Sequence, residues 1–375
     1  MKKYYTAITA MFLVFIGIMM VICLLSPVKT FSDEENRTLQ TMPKFSVEKL
    51  KSGEFTKQFE NYIADQFPKR NFFVGVKSRS ELLLGKKENN NVYRGKDGYL
   101  MQKFVGDDLK DTEQKMEYIN NFLKDIYVSN KYFMIVPTSV EIHRDKLPYA
   151  APVQSQLTYI NEIESYLNSD VKFIDVYSTL YSKKNEYIYY KTDHHWTTDG
   201  AYYAYQKFCE VAGIKSRSKS EFNIKTVTKD FYGTSYSKSG FKDVKPDSIN
   251  IYEPLDTKES CHVEYSDNKS GSDTLYSMDS LKQKDKYGVF LGGNHSLVKI
   301  KTWSKNNKKI VVIRDSYANC FVPFLASAYS EIYLVDMRYY DDSVSRLISA
   351  NKIDDILFLY NASTFAEDDS IQFIE

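Results

Sequence analysis

The stretch Asp193-His194-His195-Trp196, followed by Thr197, Thr198, Asp199 and Gly200, holds two of the five histidines and one of the two tryptophans in 375 residues. A carboxylate two residues from an imidazole can keep one ring nitrogen protonated, which leaves the other free to take a proton from a nucleophile. The pair therefore asks for a serine or cysteine. Ser316 presents itself, within Arg314-Asp315-Ser316-Tyr317-Ala318-Asn319. The apolar run Ile310-Val311-Val312-Ile313 leads into it, and a helix-compatible segment from Cys320 to Tyr329, interrupted by Pro323, leads away. On such a strand-to-helix turn the hydroxyl can face a cleft while the serine's own N–H donates to a developing oxyanion. The plainer reading of the same serine is a helix N-cap.

The elements that would hold these residues are legible in the hydrophobic pattern. Met116, Ile119, Phe122, Leu123 and Ile126 form a helical stripe, as do Leu157, Ile160, Ile163 and Leu167. Between and after them lie short apolar runs at 132–136, 171–176, 310–313, 332–335 and 356–359. Five short strands alternating with helices predict an α/β class: a parallel sheet covered on both faces. Ligands of such sheets sit beyond the carboxyl ends of the strands. Both Ser316 and Arg338, just past 332–335, fall at such ends. From about 214 to 290 the periodicity is lost among Lys, Ser, Tyr and Asp, which predicts an irregular β-rich insertion at the rim. Two glycines around Asp97, in Gly95-Lys96-Asp97-Gly98, predict a tight hairpin.

Composition removes several alternatives. Fifty basic and 49 acidic side chains leave a net charge of +1, and no local Lys/Arg block is evident, so nucleic-acid binding is not expected. Cys209, Cys261 and Cys320 show no CxxC spacing, and His143, His262 and His295 are scattered, so neither a metal nor another cofactor is expected. Lys2 and Lys3 precede an uncharged, mostly apolar run from Tyr4 to Val28, long enough to cross a bilayer and without an Ala-x-Ala cleavage pattern. Residues 1–28 thus read as an uncleaved, single-pass signal anchor in the cell membrane, with the lysines cytoplasmic and the rest outside. Residues 29–105 read as a linker and small lead-in unit, and 106–375 as the catalytic domain.

Thr192-Asp193-His194-His195-Trp196 followed by Asp315-Ser316-Tyr317-Ala318-Asn319 resembles the DHHW family, relatives of the SGNH-hydrolase-like alginate O-acetyltransferases. Further segments occur in the family's order: Glu35-Asn36-Arg37, Phe59-Glu60 with Asp65-Gln66-Phe67, Gly95-Lys96-Asp97-Gly98-Tyr99-Leu100, Gly292-Gly293-Asn294-His295 and Asp336-Met337-Arg338-Tyr339-Tyr340. The resemblance implies an SGNH-like sheet with Ser316 as nucleophile, His195 as general base and Asp193 as its orienting carboxylate. The triad order is permuted, because here Asp and His precede the serine; triads are defined by geometry, so this does not disqualify the site. His194 is the substitute for His195. Oxyanion donors would be the Ser316 N–H with Gly293 or Asn294, Asn319 being an alternative. Arg338, Tyr317 and Asn319 would contact substrate, an Arg338–Asp336 or Arg338–Asp341 ion pair being the competing reading. Trp196 would prop the imidazole, and Phe231-Tyr232-Gly233-Thr234-Ser235 would line a glycan groove or simply pack.

The implied function is an extracytoplasmic O-acetyltransferase that passes an acetyl group through an acyl-serine to a secreted or cell-wall polysaccharide, supplied by a membrane-bound acyltransferase. Two other classes fit the same residues. One is a carbohydrate acetyl esterase, with water as acceptor; the other is a glycan-binding envelope protein without turnover.

Overall fold

Unbroken apolar runs of four to six residues are what strands buried on both faces look like. All five runs read from the sequence pair in parallel in the computed structural model, which describes residues 2–32, 37–255, 261–267 and 269–375. The chain forms two compact units, Met1–Asn89 with Gly240–Lys242, and Asn90–Ser239 with Asp243–Glu375.

In the first unit, helix α1 (Lys2–Leu25) is long and apolar enough to cross a membrane. At 1.5 Å per residue it spans about 36 Å, against about 30 Å of bilayer hydrocarbon. Helices α2 (Glu54–Asp65) and α3 (Arg70–Leu83) follow. The Gln66 side chain, at the end of α2, accepts the Lys29 N–H at 2.9 Å and donates to the carbonyls of Lys29 and Gln40 at 2.8 and 3.0 Å. The segment leaving α1 is thereby tied to α2. Of the family segment Glu35-Asn36-Arg37, Glu35 and Asn36 lie outside the described residues.

The second unit opens with a hairpin, β1 (Val92–Arg94) against β2 (Leu100–Gln102), around the Gly95–Gly98 turn. Tyr93 and Met101 join the main core, so this hairpin, assigned with the lead-in segment from sequence, belongs to the larger unit. There follow α4 (Leu109–Asp125), β3 (Asn130–Val136), α5 (Gln156–Tyr166), β4 (Val171–Phe173) and α6 (Thr198–Ala212). The irregular region contains β5 (Phe222–Phe231), the short helix α7 (Thr234–Ser239) and β6 (Asp247–Pro254). Then come β7 (His262–Tyr265), β8 (Ser270–Ser272), β9 (Leu297–Lys301) and β10 (Lys309–Arg314). The chain continues through α8 (Ala318–Leu325), β11 (Glu331–Val335), α9 (Val344–Asn351) and β12 (Asp355–Asn361).

The main sheet runs β8-β7-β9-β11-β10-β12-β3-β4. The five strands from β11 to β4 are parallel, and β9, β7 and β8 extend the sheet in antiparallel fashion. β9 and β7 escape a search for apolar runs because each shows the core one face only, and β8 because none of its residues is buried. In β9, Val298 and Ile300 are buried while lysines occupy the alternate positions. The irregular β-structure expected at 214–290 takes the form of the β5–β6 ribbon, whose register shifts twice, between Thr226 and Thr228 and between Thr228 and Phe231. All four cysteines are free.

Helix α6 starts directly behind the Asp193–Trp196 stretch, and its start is fixed by Thr197, whose Oγ1 accepts the Gly200 N–H at 3.3 Å. The next two polar residues point elsewhere: Thr198 donates to the Asn250 carbonyl, and Asp199 accepts from Tyr252. Gly200 lets this helix approach the chain at Ile188, since a Cβ there would stand 2.5 Å from the Ile188 carbonyl oxygen. Gly200→Ala gains up to about 1 kcal/mol of helix propensity but overpacks against backbone, which costs about 1–3 kcal/mol. A lowered denaturant midpoint at unchanged slope is the expected result, read by tryptophan fluorescence in urea.

Candidate active site

Strand β10 ends level with β12, Arg314 opposite Leu359, and the chain turns through Asp315 and Ser316 into α8. Asp315 makes the turn. Its Oδ1 accepts the Tyr317 N–H at 2.8 Å, and its Oδ2 accepts the backbone and side-chain N–H groups of Asn361, at 2.8 and 2.6 Å, from the end of β12. Ser316 is left partly exposed above the sheet's carboxyl edge.

His195 Nε2 lies 2.7 Å from Ser316 Oγ, and His195 Nδ1 lies 2.5 Å from Asp193 Oδ1. The three residues singled out from sequence therefore form one continuous hydrogen-bonded line. His194 Nδ1 instead meets Thr234 Oγ1 at 2.6 Å, so it is His195, not His194, that reaches the serine. Burial, then the neighbouring His195, pushes His194 down to about 3, which leaves it neutral. Asp193, His194 and His195 offer donor atoms within 4.8 Å of one another. Two ligands of one tetrahedral zinc would stand about 3.3 Å apart. The 2.5 Å contact between Asp193 and His195 is instead a direct hydrogen bond with no room for an ion between the two groups, so the cluster fits a hydrogen-bonded pair better than a metal centre.

Asp193 is fully buried, and burial alone pushes its carboxyl up. The imidazoles of His195 and His194 and the hydrogen bonds from His195 and Thr234 outweigh that effect and hold it well below the usual carboxylate range. Oδ1 accepts the His195 backbone N–H at 3.0 Å as well as the ring; Oδ2 accepts the Thr234 N–H and hydroxyl at 2.7 and 3.0 Å. In the sequence Thr234 stands only within a candidate groove lining, Phe231 to Ser235. Its actual place is against the carboxylate, and nothing in its local sequence announces that. Gly233 beside it has no room for a side chain, because a Cβ there would fall 2.2 Å from Asp193 atoms. Asp247 on β6, also buried, accepts from Tyr187, from the Lys191 N–H at 2.9 Å and from the Thr192 N–H and hydroxyl at 2.7 and 2.6 Å. The irregular ribbon thus shapes the chain immediately ahead of Asp193.

Tyr287, from the irregular region, also belongs to the site. Its ring lies flat on His195, centroids 3.7 Å apart at 9°, and its hydroxyl donates to the Ser316 carbonyl at 3.2 Å. No motif marks it. Trp196 is buried, gives its indole N–H to the Tyr317 carbonyl at 3.0 Å and packs on Tyr317 and Phe321, so it supports the serine turn, whereas the ring that lies on His195 is that of Tyr287.

Several expected contacts take other roles. Tyr317, expected to touch substrate, is wholly buried and spans from Asp315 to the His194 carbonyl, so it braces the two halves of the site. Gly293, expected as an oxyanion donor, gives its N–H to the Phe290 carbonyl at 3.2 Å, in a turn whose φ of +104° suits glycine. Asn319, also expected at the substrate, is buried and donates to the Gly293 carbonyl at 3.3 Å and to Asn294 Oδ1 at 3.1 Å. Asn294 Oδ1 additionally accepts from Arg314 at 2.9 Å, which leaves the exposed Asn294 with its Nδ2 as the free side-chain donor. The Ser316 N–H has no partner among the described residues. Arg338 forms the anticipated ion pair, bidentate to Asp336 at 2.8 and 2.6 Å, with part of its side chain still exposed.

A family model described as DHHW protein matches residues 117–335. Among curated proteins none matches the chain in sequence. Among solved structures, a DHHW family protein from Eubacterium siraeum aligns with a TM-score of 0.66 at 28% identity, over 76% of this chain and 95% of that one. Bacillus cereus PatB1, solved with a sulfonyl adduct, aligns with a TM-score of 0.64 at 22% identity, over 76% and 98% of the two chains. The O-acetyltransferase domain of Pseudomonas putida AlgJ gives a TM-score of 0.45 at 13% identity, over 74% and 93%, too distant to carry an argument.

The tight contact at Gly233 isolates the carboxylate's position from the rest of the site. Gly233→Ala must displace Asp193, and a displacement of about 1 Å can cost about 10²-fold in rate. Pre-steady-state hydrolysis of an activated acetyl ester is expected to slow by that order, while the circular dichroism melt confirms that the variant is folded.

Proposed function

The chain belongs to the DHHW family, and from that premise we propose that it is a membrane-anchored O-acetyltransferase that works outside the cytoplasm. It takes an acetyl group onto Ser316 and passes it to a hydroxyl of a secreted or cell-wall polysaccharide. The observation that carries this reading is the unbroken line from Asp193 through His195 to Ser316.

In the first half-reaction the Ser316 Oγ–H proton passes to His195 Nε2 as Oγ bonds to the acetyl carbonyl carbon. The carbonyl π electrons move to oxygen, and that oxyanion would meet the Ser316 N–H and Asn294 Nδ2, both without a partner among the described residues. Collapse expels the donor's oxygen, which takes the proton from His195. A sugar hydroxyl then gives its proton to His195 as its oxygen attacks the acyl-serine carbonyl; collapse breaks the Ser316 Oγ–C bond, and Oγ leaves with the proton returned by His195. Asp193 stays ionised throughout, as its depressed pKa requires, and stabilises the imidazolium formed in each half-reaction. The face of Tyr287 against His195 acts in the same direction, since a ring face attracts a cation.

Helix α1 would anchor the protein in the membrane, beside a membrane-bound acyltransferase that delivers the acetyl group. The family resemblance, with its polysaccharide acceptors, is what favours a sugar hydroxyl over water as the second nucleophile.

The direct test uses the full chain with an activated acetyl ester and an oligosaccharide mixture. Wild type is expected to give an acetyl-peptide containing Ser316 by mass spectrometry and acetylated oligosaccharide as product. Ser316→Ala should lose both, with turnover down by about 10⁴-fold or more. Asn294→Ala should keep the acyl-enzyme but form it about 10²–10³-fold more slowly. An arylsulfonyl fluoride should label the wild type at Ser316 and leave Ser316→Ala untouched. Sugar acetylation that survives Ser316→Ala would sink the triad assignment, and acetate release indifferent to any sugar would leave an esterase.

A further inference from the structure

Helices α2 and α3 leave an apolar face uncovered. Phe59 and Ile63 are exposed on one side of α2, and Phe72, Val76 and Leu83 share one face of α3, Leu83 at 89% exposure. Scattered exposed apolar residues are ordinary on a protein surface, but two successive helices each presenting such a stripe mark an interaction surface. Two further observations say what covers it. The first is the clamp of Gln66 on Lys29. Lys29 stands four residues beyond the end of α1 at Leu25, a reach of about 14 Å at full extension. If α1 spans a bilayer, the end of α2 is held that close to its surface. The second is charge: residues 42–87 carry ten Lys/Arg against five Asp/Glu in a chain that is otherwise near neutral.

We propose that α2 and α3 lie on the surface of an anionic membrane, with Phe59, Ile63, Phe72, Val76 and Leu83 at the boundary between headgroups and acyl chains and the basic side chains among the phosphates. This is the arrangement of an interfacial amphipathic helix pair. It rests on the reading of α1 as a membrane span and adds a second membrane attachment to it, one that depends on lipid charge.

The test places single nitroxide labels on the full chain in nanodiscs of phosphatidylcholine, with or without phosphatidylglycerol. Cys23→Ser removes the one cysteine that is not buried, and the other three are shielded from the label. Labels go at Phe59→Cys, at Phe72→Cys, at Lys57→Cys on the opposite face of α2, and at Met11→Cys within α1. Collision with oxygen against a water-soluble nickel complex is then measured. The expected result is an oxygen-to-nickel ratio at Phe59→Cys and Phe72→Cys several-fold above that at Lys57→Cys, and falling when phosphatidylglycerol is left out. Nickel access at Phe59→Cys and Phe72→Cys equal to that at Lys57→Cys, with Met11→Cys in lipid, would overturn the proposal and leave the anchor standing. Shielding of both positions from both reagents would overturn it in favour of a protein partner or a second copy. Nickel access at Met11→Cys would overturn the anchor reading and this proposal with it.

Discussion

A carboxylate with almost no solvent, Asp193, is the constraint around which the larger unit is arranged. Removing an ion of this size from water costs several kcal/mol even after relaxation, so the charge persists only if its lone pairs are met. Four donors meet them here, two from His195 and two from Thr234. The backbone bond from His195 is local, an Asx turn that the two-residue spacing provides without help. The pair from Thr234 comes from 41 residues away, and Gly233 is the residue that lets that segment come close enough. The proton-accepting power of His195 therefore depends on a glycine and a threonine that carry no chemistry of their own.

The opposite wall solves a similar problem with the other sign. Arg314, at the end of β10 two residues before Ser316, is wholly buried, with Asp336 3.5 Å away and Arg338 paired to the same carboxylate. A guanidinium buried in this way needs acceptors along its fork, and two of them are Asn294 Oδ1 and the His295 carbonyl, at 2.9 and 3.4 Å. The same bond that satisfies Arg314 fixes which end of the Asn294 amide stays free. Charge neutralisation inside the sheet and donor orientation at its edge are one arrangement, so the ion-pair cluster has a consequence at the site that pairing alone would not suggest.

What was legible in the sequence follows the range of the interactions involved. The parallel core was legible because strands buried on both faces write themselves as apolar runs, and the serine turn because it sits where such a run ends. Asp193 and His195 were legible because their relation is local. Tyr287, Thr234, Asp247 and Arg314 were not, although each touches the site or the chain that forms it. Each acts across more than fifteen residues of sequence, Arg314 from the end of a legible strand and the other three from segments without a periodic signal, and only pairing in space gives any of them a role. Tyr317 and Asn319 erred the other way: proximity to Ser316 in sequence suggested substrate contact, but the first turn of α8 rotates both side chains into the core. Gly293 does act through its backbone, but its N–H is spent on Phe290 and its carbonyl accepts from Asn319.

The chain order Asp, His, then Ser follows from this topology at no structural cost. In a parallel sheet every strand delivers its carboxyl end to the same edge, so any two βα connections can place residues side by side there, whichever comes first. What the order does change is the support each residue receives. Ser316 leaves directly from a central strand and inherits its rigidity from β10 and β12 through Asp315 and Asn361. Asp193 and His195 lie twenty residues past the last residue of the edge strand β4, on a connection that the sheet does not hold. The β5–β6 ribbon and its connection supply what is missing, with Asp247 gripping the chain at Lys191 and Thr192, and Thr234, at the start of α7 between the two strands, gripping Asp193. The irregular insertion is thus the second scaffold of the site, and its lack of periodicity reflects a segment shaped to fit one loop rather than to form a layer.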